Sequence, residues 1–257
     1  MIRIRTHKII KNTRKAIRMK RKIFVTGDKH GSFKDVIEWA NNTKGLTRND
    51  ILIVLGDAGL NYYKTIKDNI NKEKLSMLPI TFVMIHGNHE ERPENCAGYH
   101  LEYVSMLGCE CWIQDEYPNI LFPKDGLMTI DGKKFLIMGG AYSVDKFLRI
   151  TYGWQWFASE QMPEETKNKI RELVETEHNF DYVLTHTAPL KYEPRHLFLK
   201  NLNQSMIDKS MEIFLDEIEG KISYGFWLFG HFHSDERLGT RVAILYKEIR
   251  PLSDFTV

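Results

Sequence analysis

The sequence predicts an α/β fold built on parallel βαβ units, and three observations carry that expectation. Short apolar runs of strand length alternate with helix-patterned segments along most of the 257 residues. Five of those runs end in small clusters of metal-capable side chains, with Gly27, Gly56, Gly87 and Gly230 next to four of them. The length suits one sizeable α/β domain, and no repeat, low-complexity tract or linker divides it.

Taken in order, Ile23–Thr26 reads as a buried strand that runs into Gly27-Asp28. A helix is expected from Ser32 to Asn42, with Ser32 as N-cap, Asp35 three residues on, and Phe33, Val36, Ile37 and Ala40 on one face. Ile51–Leu55 is a second strand, followed by Gly56-Asp57, and residues 64–77 look helical. Ile80–Ile85 leads into His86-Gly87-Asn88-His89-Glu90. Leu127–Ile130 and Lys134–Met138 flank Asp131-Gly132, a pair that favours an antiparallel hairpin. The Gly- and aromatic-rich stretch 139–157 is too irregular to be helix or strand throughout, and loops of that length are often functional. A helix over 163–177 carries Pro163 in its first turn. The strand Tyr182–Thr185 precedes His186, a helix covers 204–218, Phe226–Phe229 runs into Gly230-His231-Phe232-His233, and Val242–Tyr246 closes the sheet.

Composition narrows the function classes. A hydrophobic fraction of 42% supports a real core, while no apolar run approaches the roughly 20 residues that cross a bilayer, so no membrane span is expected. Cys96, Cys109 and Cys111 form no disulfide framework, which fits a reducing, cytoplasmic setting, and Cys109-x-Cys111 reads as a pair of strand cysteines. Charge is divided unevenly. Residues 1–22 hold ten Lys and Arg and no acid, leaving 26 basic against 34 acidic residues elsewhere, a net of −8. The basic arm is read as lying outside the fold, with residues 23–257 as the domain. It suits RNA, DNA or anionic lipid, or a targeting segment, unless Met19 is the natural start. The acidic body disfavours a nucleic-acid clamp.

The chemistry lies in the strand-end clusters: Asp28 with His30, Asp57, Asn88 with His89, His186, and His231 with His233. Sites in open α/β sheets collect beyond the carboxyl ends of strands, so clusters far apart in sequence converge there. Asp-x-His or Gly-Asp alone is a common turn, and His186 alone is an ordinary strand-end histidine. Gly-His-x-His offers two ring nitrogens on one loop, and Gly-Asn-His-Glu is the most specific element. All five in this order resemble the calcineurin-like metallophosphoesterase superfamily. The resemblance runs from Asp28 to His233. Gly139–Lys146, with Trp154 and Trp156, is similar to a bacterial and phage-borne branch of uncharacterised members.

That resemblance implies a four-layer α/β/β/α sandwich with a dinuclear metal site at the strand ends. One ion would take Asp28, His30, Asp57 and His233, the other Asp57, Asn88, His186 and His231, with Asp57 as the bridge. Such mixed ligands suit manganese, iron, zinc or nickel. A hydroxide bridging the ions, about 3.5–4 Å apart, would attack a phosphomonoester or phosphodiester in line. His89 would serve as the catalytic histidine, protonating the departing oxygen, and His86 has a strand-end structural role at least as readily as a role in the site. The pattern also departs from the Ser/Thr protein phosphatases. Where they carry Asp-Arg-Gly, this chain has Leu60, Asn61 and Tyr62. The acid partner of the histidine and the phosphate-binding arginine are missing at those positions. By loop position, Arg92, Lys146 and Arg149 are the candidate substrate-binding cations, each also readable as solvated charge. The aromatics Tyr142, Phe147, Tyr152, Trp154, Trp156 and Phe157 are expected to pack over the sandwich, with base stacking, a lid or a dimer contact left open. The leading expectation is a metal-dependent phosphoric ester hydrolase; the competing one is a non-catalytic interaction scaffold of the same fold. Substrate, native metals and oligomeric state are not encoded in any motif.

Overall fold

A computed structural model describes residues 21–200 and 203–256. The basic arm up to Lys20, and with it the question of Met19, lies outside the described residues.

Two sheets face each other. In the first, β1 (Ile23–Thr26), β2 (Ile51–Val54), β3 (Thr81–Met84) and β6 (Ile120–Pro123) pair in parallel. Antiparallel β5 (Cys109–Ile113) and β4 (His100–Val104) extend one edge, and β13 (Arg250–Pro251) pairs with β1 at the other. The second sheet has the order β11-β12-β10-β9-β8-β7: Glu236–Arg237, Val242–Ile244, Ser223–Phe229, Asn179–Thr185, Lys133–Met138 and Gly126–Ile130. Its central strands β12, β10, β9 and β8 are parallel.

Alternation along each strand builds three cores. On β2, Ile51 and Ile53 point into the space between the sheets, beside Phe135, Tyr182, Phe226 and Leu228. Leu52 and Val54 point the other way, under α1 (Lys34–Asn42) and α2 (Ile66–Ser76), where they meet Val36, Ala40 and Leu75. The second sheet does the same. Trp227 and Phe229 face outward to α4 (Glu164–Thr176) and α5 (Ser210–Glu219), against Ile170, Val174, Phe214 and Ile218. Strands buried on both faces read as continuous apolar runs, which is why β2, β3 and β10 stand out in the sequence. The result is the four-layer α/β/β/α arrangement.

Several expectations are corrected. Ser32 caps nothing: α1 starts at Lys34, and its N-cap, Phe33, makes no side-chain bond. α2 begins at Ile66, not at residue 64, with Thr65 as its N-cap accepting the Lys67 N–H. Pro163 precedes α4 instead of sitting in its first turn. Residues 204–206 are a 3₁₀ turn, and α5 begins only at Ser210, where the Asp208 carboxylate takes the Ser210 N–H at 2.8 Å. The stretch 139–157 contains a short helix, α3 (Lys146–Tyr152), closed by Gly153 at φ 67°. The expected packing of its aromatics holds for Tyr142 and Phe157, which are buried, but Phe147, Tyr152 and Trp154 are exposed. The Asp131-Gly132 hairpin is present, with both residues at positive φ as a two-residue turn of this kind requires. Cys109 and Cys111 lie on β5 as free thiols.

Candidate metal centre

Because the central strands are parallel, their carboxyl ends share one edge, and the loops leaving β1, β2, β3, β9 and β10 meet there. Those loops carry all seven metal-capable residues, which fall into two groups. In one, Nε2 of His30 and Nε2 of His233 are 2.9 Å apart, and Oδ2 of Asp28 is 3.7 and 3.2 Å from them. In the other, Oδ1 of Asn88 lies 2.8 Å from Nε2 of His186 and 3.1 Å from Nδ1 of His231. Asp57 stands between the groups, with Oδ2 3.8 Å from His30 and Oδ1 3.5 Å from His186.

Local backbone geometry is bent to achieve this. His30, Asp57, His231 and His233 all have φ between 46° and 65°, a region that non-glycine residues enter at a cost. The two glycines that matter most are set by close approach. A Cβ on Gly56 would lie 2.1 Å from Nδ1 of His186, and one on Gly87 would lie 2.1 Å from Oδ1 of Asp57. Hydrogen bonds then aim the donors. His186 donates Nδ1–H to the Leu55 carbonyl at 2.8 Å, leaving Nε2 to face Asn88. The Asn88 amide donates to Oγ of Ser143 at 2.9 Å, which turns its oxygen toward the two histidines. Glu90 accepts the N–H groups of Gly59 and Gly87, tying the β2 and β3 loops together.

The donor set fits divalent cations. Oδ2 of Asp28 is fully buried without a hydrogen bond among the described residues, although two imidazole nitrogens are aimed at it. Two facing ring nitrogens at 2.9 Å are a natural pair of ligands for a common ion. Without a cation the site stabilises itself by dividing charge. Burial raises the Asp57 carboxyl, but His186, His89 and His30 outweigh it and hold the group well below the usual carboxylate range. Burial lowers His186, yet Asp57 dominates and lifts it to about 9. Burial and the neighbouring His186 push His231 down to about 3. Groups of three donors whose ligand atoms all approach one another include Asp28-His30-His233 and Asp28-Asp57-His186.

His89 borders this cluster. Its backbone N–H bonds Oδ1 of Asp57 at 2.7 Å, and its ring is partly buried. Burial, with Arg149 adding to it against Asp57, brings its pKa to about 4. The Arg149 guanidinium lies 2.8 Å from Nε2 of His89, is itself buried, and is held by Oδ2 of Asp145 at 2.8 Å and the Gln155 carbonyl. Asp145 is also 4.0 Å from Nε2 of His89. An acid and an arginine therefore stand beside this histidine after all, supplied by the start of α3. The other two cations are placed differently. Arg92 is buried against Asp125 at 3.0 Å and the Ser159 carbonyl, and Lys146 lies 4.1 Å from the Trp156 ring centroid. His86 bonds the Ser159 carbonyl, a structural contact. Leu60 is core, and Asn61 accepts from Lys72 and Tyr99, so both positions serve the fold. Glu90 belongs to Gly-Asn-His-Glu, and Ser143 and Asp145 lie within Gly139–Lys146, but nothing in those motifs signals the supporting contacts they make. A cavity of about 330 Å³ opens from the cluster toward α5.

A model of the family described as calcineurin-like phosphoesterase matches residues 21–235. No functionally curated protein matches the chain in sequence. Among solved structures, the phosphopantetheinyl hydrolase (PptH) from Mycobacterium tuberculosis is similar with a TM-score of 0.51 at 12% identity, over 88% of each chain. Another solved structure is similar with a TM-score of 0.55 at 13% identity, over 93% of this chain and 97% of its own. At such identities the similarity speaks for the fold. Among the described residues no helix is long and apolar enough to cross a membrane.

Proposed function

Because the chain belongs to the calcineurin-like phosphoesterase family, we propose that it hydrolyses a phosphomonoester or phosphodiester using two divalent cations held at the shared strand ends. The observation that carries this reading is the position of Asp57 between the Asp28-His30-His233 and Asn88-His186-His231 groups, with one carboxylate oxygen turned to each. A single bridging carboxylate is what a dinuclear site requires, and the carboxylate, amide and imidazole donors suit manganese, iron, zinc or nickel. Divalent ions bound there acidify water and neutralise phosphoryl oxygens.

The chain's own residues do the rest. His30 and His233 are solvent-open, so the phosphoryl group enters from their side. Arg149, fixed by Asp145 through Nε and by the Gln155 carbonyl through Nη1, presents Nη2 at His89, where it would hold a phosphoryl oxygen. His89, kept neutral by burial and Arg149, contributes an N–H hydrogen bond to the departing oxygen. Leu60-Asn61-Tyr62 lacks the protein-phosphatase signature, and the cavity of about 330 Å³ beside the cluster suits a small-molecule ester.

The test is metal analysis of purified protein, followed by turnover of p-nitrophenyl phosphate and its bis-ester with manganese. Metal-dependent hydrolysis of at least one ester is expected. Asp57→Asn should lose both bound metal and turnover. Two bound ions with no hydrolysis of either ester would sink the hydrolase reading and favour the scaffold.

A further inference from the structure

The cavity beside the metal centre has a composition of its own. It runs from His89, His231 and His233 to the start of α5. Tyr142, Val144, Leu197, Phe198, Ile207 and Phe232 give it largely apolar walls. Its volume of about 330 Å³ falls in the range of small-molecule sites. Away from Asp57 and Asp145 at the metal-centre end, three charged side chains enter this apolar space. Lys209 and Glu193 satisfy one another at 2.6 Å. Glu212 has no such partner: it is only 5% exposed, and its Oε1 accepts from Oγ1 of Thr187 at 2.8 Å. Its Oε2 is buried with no hydrogen bond among the described residues.

An unmatched buried carboxylate oxygen is costly, and such atoms are normally hydrogen-bonded. Glu212 lines the cavity, so a bound molecule is the available partner. Burial also pushes its carboxyl up to about 7, which a cationic or N–H donor would reverse by favouring the ionised form.

We infer that this cavity is the leaving-group pocket of the hydrolase, and that it takes an apolar alcohol portion bearing an N–H donor that bonds Oε2 of Glu212. The orientation, phosphoryl group at the histidines and alcohol portion toward α5, rests on the function proposed above. The donor specificity rests on Glu212 alone. Apolar walls bind the carbon chain with little discrimination, whereas a buried acceptor rejects a ligand that leaves it unpaired.

The test uses non-hydrolysable probes, so that binding is read without turnover. Alkylphosphonates of increasing length and their ω-amino counterparts are titrated calorimetrically into the manganese-loaded protein. At one chain length the amino compound should bind at least about tenfold more tightly than its methyl-ended partner, the scale of a charge-assisted hydrogen bond. That advantage should fall below about threefold in Glu212→Leu. Glu212→Gln is nearly isosteric, should reduce the advantage at least about threefold, and decides the question if the leucine variant does not fold. Equal affinities of the two series at every length, or no binding of either, would overturn the inference. Turnover of p-nitrophenyl phosphate by the same preparation judges the hydrolase reading separately.

Discussion

His89 and Glu212 show how burial sets the roles of single residues here. His89 follows the proposed ligand Asn88, and burial together with Arg149 keeps its ring neutral near pH 7. Replacing it by asparagine should leave the seven metal donors in place, since only its backbone N–H touches Asp57. The expected result is a kcat lower by about 10²–10³-fold, the usual worth of one hydrogen-bond donor to developing negative charge, with metal content unchanged by elemental analysis. Loss of metal in this variant would move His89 into the ligand set. Glu212 makes a second prediction through linkage. Its carboxyl titrates near 7 in the fold against 4.5 when free, so between those values the folded state holds a proton that the unfolded chain has lost. Stability from this group is therefore complete below about pH 4.5 and falls as pH rises toward 7, by at most roughly 3 kcal/mol. Metal-free Glu212→Gln should be more stable than wild type at pH 8 and equal to it near pH 4.5 in urea titrations. The same fall with pH in the variant would assign it to other groups.

At the scale of elements, the parallel strands were legible because their residues are buried on both faces. β2 is four consecutive apolar residues, and the runs of β1, β2, β3, β9 and β10 are each followed within a few residues by a metal-capable side chain. The edge hairpin was not: His100–Val104 is exposed or half-buried throughout, and Cys109–Ile113 alternates, so neither run stands out. Helix α3 was hidden for a different reason. Much of its surface is apolar and exposed, with Phe147, Leu148 and Ile150 facing solvent, so no amphipathic period marks it. Its anchor is a polar side chain. Arg149 ties α3 to Asp145, to the Gln155 carbonyl and, across 60 residues of sequence, to His89, a contact that only the folded-back chain reveals. The missing acid-arginine pair is thus present in space and absent at its expected place in sequence. Arg149→Ala should speed hydrogen exchange at the amides of residues 146–152 and lower kcat/KM at least about tenfold, the effect of losing one charge-assisted contact to a phosphoryl group. Faster exchange with unchanged kcat/KM would leave Arg149 a purely structural anchor.

For the whole molecule, the decisive feature is that the proposed ligands come from both sheets. Asp28, His30, Asp57 and Asn88 leave β1, β2 and β3, whereas His186, His231 and His233 leave β9 and β10. The two sheets otherwise meet through apolar side chains, Ile51 and Ile53 of the first against Phe135, Tyr182 and Phe226 of the second, with Phe255 packed on Phe226. Bound cations would join the sheets at one edge of that core and would bind the folded chain far better than the unfolded one. Ligand at a hundredfold excess over Kd then adds about 2.7 kcal/mol. For a domain of this size, about 2–4 °C per kcal/mol translates that into a Tm higher by roughly 5–10 °C with manganese than after chelation. Asp57→Asn should erase most of that difference, because it faces both groups of donors. Hydrogen exchange should localise the change: chelation should expose the loops after β1, β2, β3, β9 and β10, and leave the far ends of the same strands protected. A metal effect spread evenly over both sheets, or no effect on Tm, would mean that the cations do not hold the sheets together and that the core alone sets the packing.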